Sequence, residues 1–304
     1  MKMDQRFTLV WTMTDNDDGK SVQTFLQEQK VSRSSIKAII HEGGAIYLNN
    51  EPVTVREMVQ AGDELVVVFP EERPSPALVP EPFDLPVIYE DEAFLIVNKP
   101  PGMATMPSPD HRSGTLANAL VHYYEKRNIA AAAHIVTRLD VNTSGLVLVA
   151  RNRHIHHLFN LQHEKRAIQK EYLALAVGVF QEKKGTIEAP IARKKGSIIE
   201  RVVSPEGQYA CTIFEVLEQF HDFALVKLQL ITGRTHQIRV HLAHIGHPVL
   251  GDDLYGAGPS TLTRHALHCY KLTFPHPLTG KMESFTAPLP ADMQAVIGKN
   301  IQDV

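Results

Sequence analysis

Residues 71 to 86, EERPSPALVPEPFDLP, contain five prolines. Each proline fixes its own φ and lacks an amide hydrogen, so neither a helix nor a central strand can run through such a stretch. The chain is therefore expected to fold as two units. A small one spans residues 1–72, a proline-rich connector 73–86, and a larger one 87–304. A length of 304 residues accommodates one large and one small domain, and 43% hydrophobic content is ordinary for a packed protein with a sizeable core.

No apolar run approaches the roughly 18 to 20 residues of a membrane span. Gly145–Ala150 and Leu65–Phe69 are short enough to read as buried strands. The opening segment MKMDQRFTLVWTMTDNDD turns acidic where a secretory leader needs an apolar core, so a cytoplasmic protein is expected. Two cysteines, Cys211 and Cys269, without CxxC spacing, speak against a disulfide framework or a zinc site and are expected as reduced core residues. The formal charge of -3 weakly opposes a nucleic-acid partner, but the distribution is uneven. Arg151, Arg153, Lys165, Arg166 and Lys170 fall in one segment with four histidines, and Arg193, Lys194, Lys195 and Arg201 form a second cluster. Within the first, His154, His156 and His157 are expected at the surface.

In the small unit, Lys20–Lys30 and Ser34–Glu42 have helical periodicity, Asn49-Asn50 reads as a hairpin turn, and Gly62-Asp63 leads into a last strand, Glu64–Phe69. Beyond the connector, strand-like runs occur at Pro86–Tyr89, Phe94–Asn98, Leu146–Ala150, Tyr172–Val177, Thr212–Leu217 and Ala224–Leu230. Helical stretches at 114–127, 152–166 and 235–246 separate them without strict βαβ alternation. The expected fold class is α+β on a mixed, mainly antiparallel sheet, preceded by a small α/β domain.

Lys30, Arg33 and Lys37 recur at spacings of three and four, which would place them on one helical face. With the Gly43-Gly44 turn, the strand pair and Ala61-Gly62-Asp63-Glu64, residues 18 to 70 resemble an S4-type RNA-binding domain. That resemblance implies phosphate contacts from the three cations. A small α/β module with a solvated basic face is the plainer alternative.

Three segments of the larger unit carry chemistry. Arg138-Leu139-Asp140 is followed by Asn142-Thr143-Ser144-Gly145 and an apolar strand, a turn whose amides and hydroxyls can hold an ionised aspartate. Gln169-Lys170-Glu171-Tyr172 opens a strand. Thr232-Gly233-Arg234-Thr235-His236-Gln237-Ile238-Arg239 runs from a strand through a turn into a helix, where Arg234 could reach a carboxylate on another strand. Taken alone, Asp140 could serve a mere Asx turn and Arg234 a structural salt bridge.

In this order, the three segments strongly resemble the motifs of the RluA-type pseudouridine synthases. Val97-Asn98-Lys99-Pro100-Pro101-Gly102 upstream and the stretches Gly246–Asp252 and Leu254-Tyr255-Gly256 downstream extend the resemblance over residues 85 to 290. It implies that Asp140 is the catalytic carboxylate, that Tyr172 packs on the target uracil and assists proton transfer, and that Arg234 pairs with Asp140. Arg138 would enter the gap left by a flipped base, and Lys170 would add to the RNA-binding surface. The reaction it implies is isomerisation of uridine to pseudouridine within RNA, large-subunit ribosomal RNA ahead of transfer RNA. Neither a metal nor another cofactor is implied, nor a membrane, nor an obligatory protein partner. Thr137 stands where the family commonly has histidine, and Met106-Pro107-Ser108 where it often has V-H-P.

His236, His241, His244 and His247 raise a zinc hypothesis, which no HExxH spacing or cysteine supports. Two further readings are a non-catalytic RNA-binding or assembly factor and a nucleoside or glycoside hydrolase. The first would be favoured by loss of Asp140, Tyr172 or Arg234, and the second predicts release of free base.

Overall fold

A computed structural model describes residues 6–256, 258, 260 and 262–302. The first five residues of the segment read above for leader character lie outside that set. No helix among the described residues is long and apolar enough to cross a membrane.

The small unit holds β1 (Thr8–Thr12), α1 (Val22–Glu28), α2 (Arg33–His41), β2 (Ala45–Leu48), β3 (Glu51–Pro52) and β4 (Glu64–Val68). The strands pair in the order β1-β4-β2-β3, all antiparallel. Ser21 and Ser32 cap the two helices by accepting the amides of Thr24 and Ser35. Apolar residues at helical spacing, Val22, Phe25 and Leu26 on α1 and Ile36 and Ile39 on α2, bury against Ile46, Leu65 and Val67 of the sheet. Asn49 and Asn50 turn the hairpin at φ 52° and 68°, as the asparagine pair suggested. One expectation fails here. Lys30 sits in the turn between the helices at φ 65°, so only the exposed Arg33 and Lys37 share a helical face.

The larger unit is built on ten strands: β5 (Val87–Glu90), β6 (Phe94–Lys99), β7 (His134–Ile135), β8 (Ser144–Ala150), β9 (Gln169–Val177), β10 (Lys184–Glu188), β13 (Cys211–Gln219), β14 (Phe223–Leu230), β15 (Leu267–Pro275) and β16 (Met282–Thr286). The separate hairpin of β11 (Ile191–Arg193) and β12 (Arg201–Val203) lies between β10 and β13 in the chain. The sheet follows β10-β13-β14-β9-β15-β8-β6-β5, with β16 added to β15 and β7 to β8. Among the described residues only the β15–β8 pair is parallel, so the sheet is mixed and mainly antiparallel.

Helices α3 (Leu116–Lys126), α4 (Arg153–Glu164), α5 (Gln237–His244) and α6 (Ala291–Gln302) complete the unit. All seven residues of β8, SGLVLVA, are buried, as expected of a strand covered on both faces. Phe94 on β6, Phe159 on α4 and Phe274 on β15 meet edge to face with ring centroids 5.2–5.9 Å apart. The strands β1, β7, β10 to β12, β15 and β16 and the helix α6 were not expected from sequence periodicity.

The proline-rich connector is strapped to the larger unit. Val79 O accepts from Asn118 Nδ2 at 2.8 Å, Glu81 accepts the Gly114 amide at 2.7 Å, and Leu85 is buried in the main core. At its start Glu72 bonds His134 and accepts the Arg153 amide at 2.7 Å. His154 is not at the surface as expected. It is 2% exposed and stacks on Phe69 of the small unit at 5.1 Å, and burial drives its imidazole pKa down to about 4, so it is neutral.

Candidate active site

The sheet registers bring separate motifs into one row. Lys99 on β6 lies opposite Gly145 on β8, Gly145 opposite Cys269 on β15, Cys269 opposite Tyr172 on β9, and Tyr172 opposite Leu228 on β14. Neighbouring strands are about 4.8 Å apart, so this row spans the middle of the sheet. The segments leaving it, 100–111, 137–143 and 230–236, rise around a cleft of about 700 Å³. That volume falls within the roughly 300–1,000 Å³ of ligand sites.

Asp140 lines the cleft together with Arg138, Lys170, Tyr172 and Arg234. Five of the eight residues singled out from sequence thus converge, while Lys30, Arg33 and Lys37 stand on the small unit. Among the described residues lining the cleft, Asp140 is the one carboxylate, and Arg138, Lys170, Arg234 and Arg239 share the lining with it. Burial depresses the Lys170 ammonium, and the Arg138 charge acts the same way, whereas Cys269 and Asp140 pull it back up.

The loop bearing Asp140 is fixed from several sides. Thr137 Oγ1 accepts the Leu148 amide at 2.9 Å, so this threonine ties the start of the loop to β8. Thr105 Oγ1 donates to Leu139 O at 2.7 Å. Lys99 is fully buried, and its ammonium donates to the carbonyls of Val141, Met103 and Pro100 at 3.0, 2.8 and 2.9 Å. Arg264 Nη1 donates to Asn142 O at 3.0 Å while its guanidinium pairs with Asp292. Thr143 and Ser144 hydroxyls meet His265 Nε2 and His268 Nδ1 at 2.9 and 3.0 Å. Burial lowers both imidazoles, His265 to about 3 and His268 to about 4, so they act as neutral hydrogen-bonding groups.

Tyr172 is 4% exposed, and its hydroxyl lies beside Cys269. Burial, reinforced by Cys269 and Asp140, raises its phenol well above the usual range. It therefore offers a ring face and an O–H donor at neutral pH, and no phenolate.

The expected Arg234–Asp140 pair is not formed. Arg234 Nε donates to Tyr209 O at 3.1 Å, and among the described residues the ionisable partner within 4.0 Å of Asp140 Oδ2 is His236 Nε2. The turn explains this. Gln237, 2% exposed, accepts the Arg234 amide at 2.9 Å and donates to Cys211 O and Thr212 Oγ1 at 3.0 Å, which ties the turn to β13, while the exposed Arg234 side chain is held by Tyr209 O just before that strand. Two other histidines of the zinc hypothesis point to separate partners. His241 bonds Thr212 and Ala189, and His247 bonds Val177 and stacks on Phe180.

A family model described as RNA pseudouridylate synthase matches residues 93–244, the span that holds β6, the Asp140 loop, β9 and the α5 turn. This chain belongs to the RNA pseudouridine synthase family. The synthase is 43% identical over 281 residues to a Bacillus subtilis (strain 168) protein named uncharacterized RNA pseudouridine synthase YjbO, covering 92% of this chain and 99% of that one. It is 35% identical over 311 residues to ribosomal large subunit pseudouridine synthase D of Escherichia coli (strain K12), covering 97% and 95% of the two chains. Among solved structures, human RNA pseudouridylate synthase domain containing 1 superimposes with a TM-score of 0.60 at 27% identity, over 71% of this chain and 89% of that one.

Several site residues of the synthase escaped the sequence reading. Lys99 and Tyr255 stood in recognised motifs without an assigned role, and His236 was weighed only as a metal ligand. Arg264, His265 and His268 had no signal, because they reach the loop from more than a hundred residues away in the chain.

Proposed function

We propose that this RNA pseudouridine synthase uses Asp140 as its catalytic carboxylate and acts on uridine in structured large-subunit ribosomal RNA. The observation that carries this reading is the lone carboxylate of the cleft, held in a clamped loop among four cationic side chains. A glycoside hydrolase usually needs two carboxylates and a water, whereas an isomerisation needs one group that labilises the base and returns it. The N1–C1′ bond breaks, the uracil turns, C5 bonds to C1′, C5 loses its proton and N1 gains one. Asp140 serves either by attacking C1′ or by taking a proton from C2′.

Tyr172 provides the apolar floor against which a uracil can stack, and Arg138, exposed at the rim, fills space in the helix the base has left. Arg234 and Lys170 complete the electropositive wall toward the phosphates. The small unit is read as an S4-like platform in which Lys30, Arg33 and Lys37 contact backbone away from the cleft. The ribosomal target is supported by the name of the Escherichia coli relative and by that second basic surface. The test compares pseudouridine maps of total RNA from cells with and without the gene, re-supplied with wild type or Asp140→Ala. One or a few sites, in large-subunit ribosomal RNA, should vanish and return only with wild type. Restoration by Asp140→Ala would refute the role of Asp140, and loss confined to transfer RNA would refute the ribosomal assignment.

A further inference from the structure

Behind Asp140 lies a chain of side chains that leaves little freedom to His236. The residue occupies the left-handed region at φ 57° immediately before α5, and its side chain is 12% exposed. Its Nδ1 lies 2.8 Å from the Tyr255 hydroxyl and its Nε2 4.0 Å from Asp140 Oδ2.

The neighbours of the Tyr255 hydroxyl favour one direction for these contacts. The Arg201 amide is only a donor, and it donates to the Tyr255 oxygen at 2.9 Å. Burial raises the Tyr255 phenol, so its proton stays on and is free to be donated to His236 Nδ1. An Nδ1 that accepts leaves the hydrogen of the neutral imidazole on Nε2, which faces Asp140. Burial also lowers the His236 pKa, with Arg239 and Arg201 acting against the pull of Asp140, which favours that neutral form.

Tyr255 is itself fixed. Asp252, fully buried, pairs with Arg239 through two 2.7 Å bonds and accepts the Leu254 and Tyr255 amides at 3.1 and 3.2 Å. The Arg239 guanidinium lies 5.0 Å over the Tyr255 ring. The segments His236–Arg239 and Asp252–Tyr255 therefore form one rigid support.

We propose that His236 is a positioning residue for Asp140, its tautomer set by Tyr255 so that the Nε2–H dipole, 4.0 Å from Oδ2 and so beyond a direct hydrogen bond, attracts that carboxylate oxygen and leaves the other to the ribose. This rests on the reading of Asp140 as the catalytic group. A neutral donor orients the carboxylate without adding a second charge to a cleft that already holds four cations.

The substrate for the test is total RNA from cells lacking the gene, grown with uridine tritiated at C5, so that each isomerisation releases tritium whichever RNA is modified. His236→Asn tolerates the left-handed backbone but is too short to reach Asp140, whereas His236→Gln returns an amide donor near the Nε2 position. We expect His236→Asn to lower kcat about tenfold or more with KM for RNA and melting temperature unchanged, and His236→Gln to recover most of the loss. Tyr255→Phe should lower kcat in the wild-type background and add nothing in the His236→Asn background, since it acts through the imidazole. A His236→Asn enzyme within twofold of wild type, a glutamine variant no better than asparagine, or losses that multiply would each overturn the proposal. Asp140→Ala is assayed alongside. Activity there refutes the Asp140 reading itself, while an inactive Asp140→Ala beside a normal His236→Asn refutes only the steering role.

Discussion

Gly145 illustrates how one residue constrains the site. Its φ is 116°, and a Cβ there would lie 2.2 Å from the Cys269 carbonyl oxygen across the parallel β8–β15 contact. Neither a side chain nor an ordinary backbone conformation fits, which explains the glycine in the T-S-G motif in physical terms. Gly145→Ala should destabilise the protein by about 3 kcal/mol or more, from overlap and backbone strain together, as read by denaturant unfolding. A loss under about 0.5 kcal/mol, the range of neutral surface changes, would mean that β15 moves away freely. The same scale separates two arginines that look alike in sequence. Arg239 is buried against Asp252, whereas Arg234 is exposed and rests on Tyr209 O.

At the scale of elements, the loop from Thr137 to Ser144 has no helix or strand of its own in its middle, and neighbouring elements supply its rigidity. Lys99 at the end of β6 is the central fastener. Lys99→Met keeps the volume but strands three carbonyls, and a net cost of about 2 kcal/mol is expected, since loss of a buried charge offsets part of the lost bonding. Catalysis should fall further than stability, because Val141 adjoins Asp140. The comparison has a pH signature. Burial lowers the Lys99 pKa to about 7, against about 10.4 in an unfolded chain, so the unfolded state binds more protons between those values. Wild-type stability relative to Lys99→Met should therefore rise as pH climbs from 7 toward 10 and stay level below 7. An unfolding series at pH 6, 8 and 9 with a constant difference would contradict this.

For the whole molecule, the decisive geometry is how the small unit meets the large one. Glu72 joins them through His134 and the Arg153 amide, and Phe69 stacks on the buried His154. Burial raises the Glu72 pKa, but the His134 hydrogen bond and charge outweigh it and the carboxyl is lowered overall. A depressed carboxyl contributes stability above its unfolded pKa, about 4.3, and loses it as pH falls through the folded value. Below about pH 4 the connector should accordingly become more open to limited proteolysis, and Glu72→Gln should show that susceptibility already at neutral pH. Equal cleavage of wild type and variant at pH 7 would argue against Glu72 as the fastener. If the small unit grips RNA phosphates, replacing Lys30, Arg33 and Lys37 by glutamine should reduce the slope of log Kobs against log salt by about two to three. Chemistry at saturating RNA should remain unchanged, and an unaltered slope would remove that surface from the RNA path.

The proline-rich break in regular structure, the mixed and mainly antiparallel sheet and most of its strands and helices were legible because they rest on local rules. Proline forbids continuous elements, apolar residues repeat at 3.6 or 2, and a carboxylate before T-S-G marks a turn. Asn49-Asn50 was read correctly for the same reason, since the left-handed turn is a property of those two residues. What sequence left open depends on which residues the sheet brings side by side. Lys30 fell off the shared face because the helix starts at Arg33, His154 packs against Phe69 and Phe7 of the other unit, and the Arg234 side chain is taken up by the Tyr209 carbonyl instead of Asp140. The fasteners of the Asp140 loop, Arg264, His265 and His268, and the contact of His236 with Tyr255 exist only through long-range pairing. Hydrogen bonds of that kind depend on strand order and register, which local periodicity does not encode.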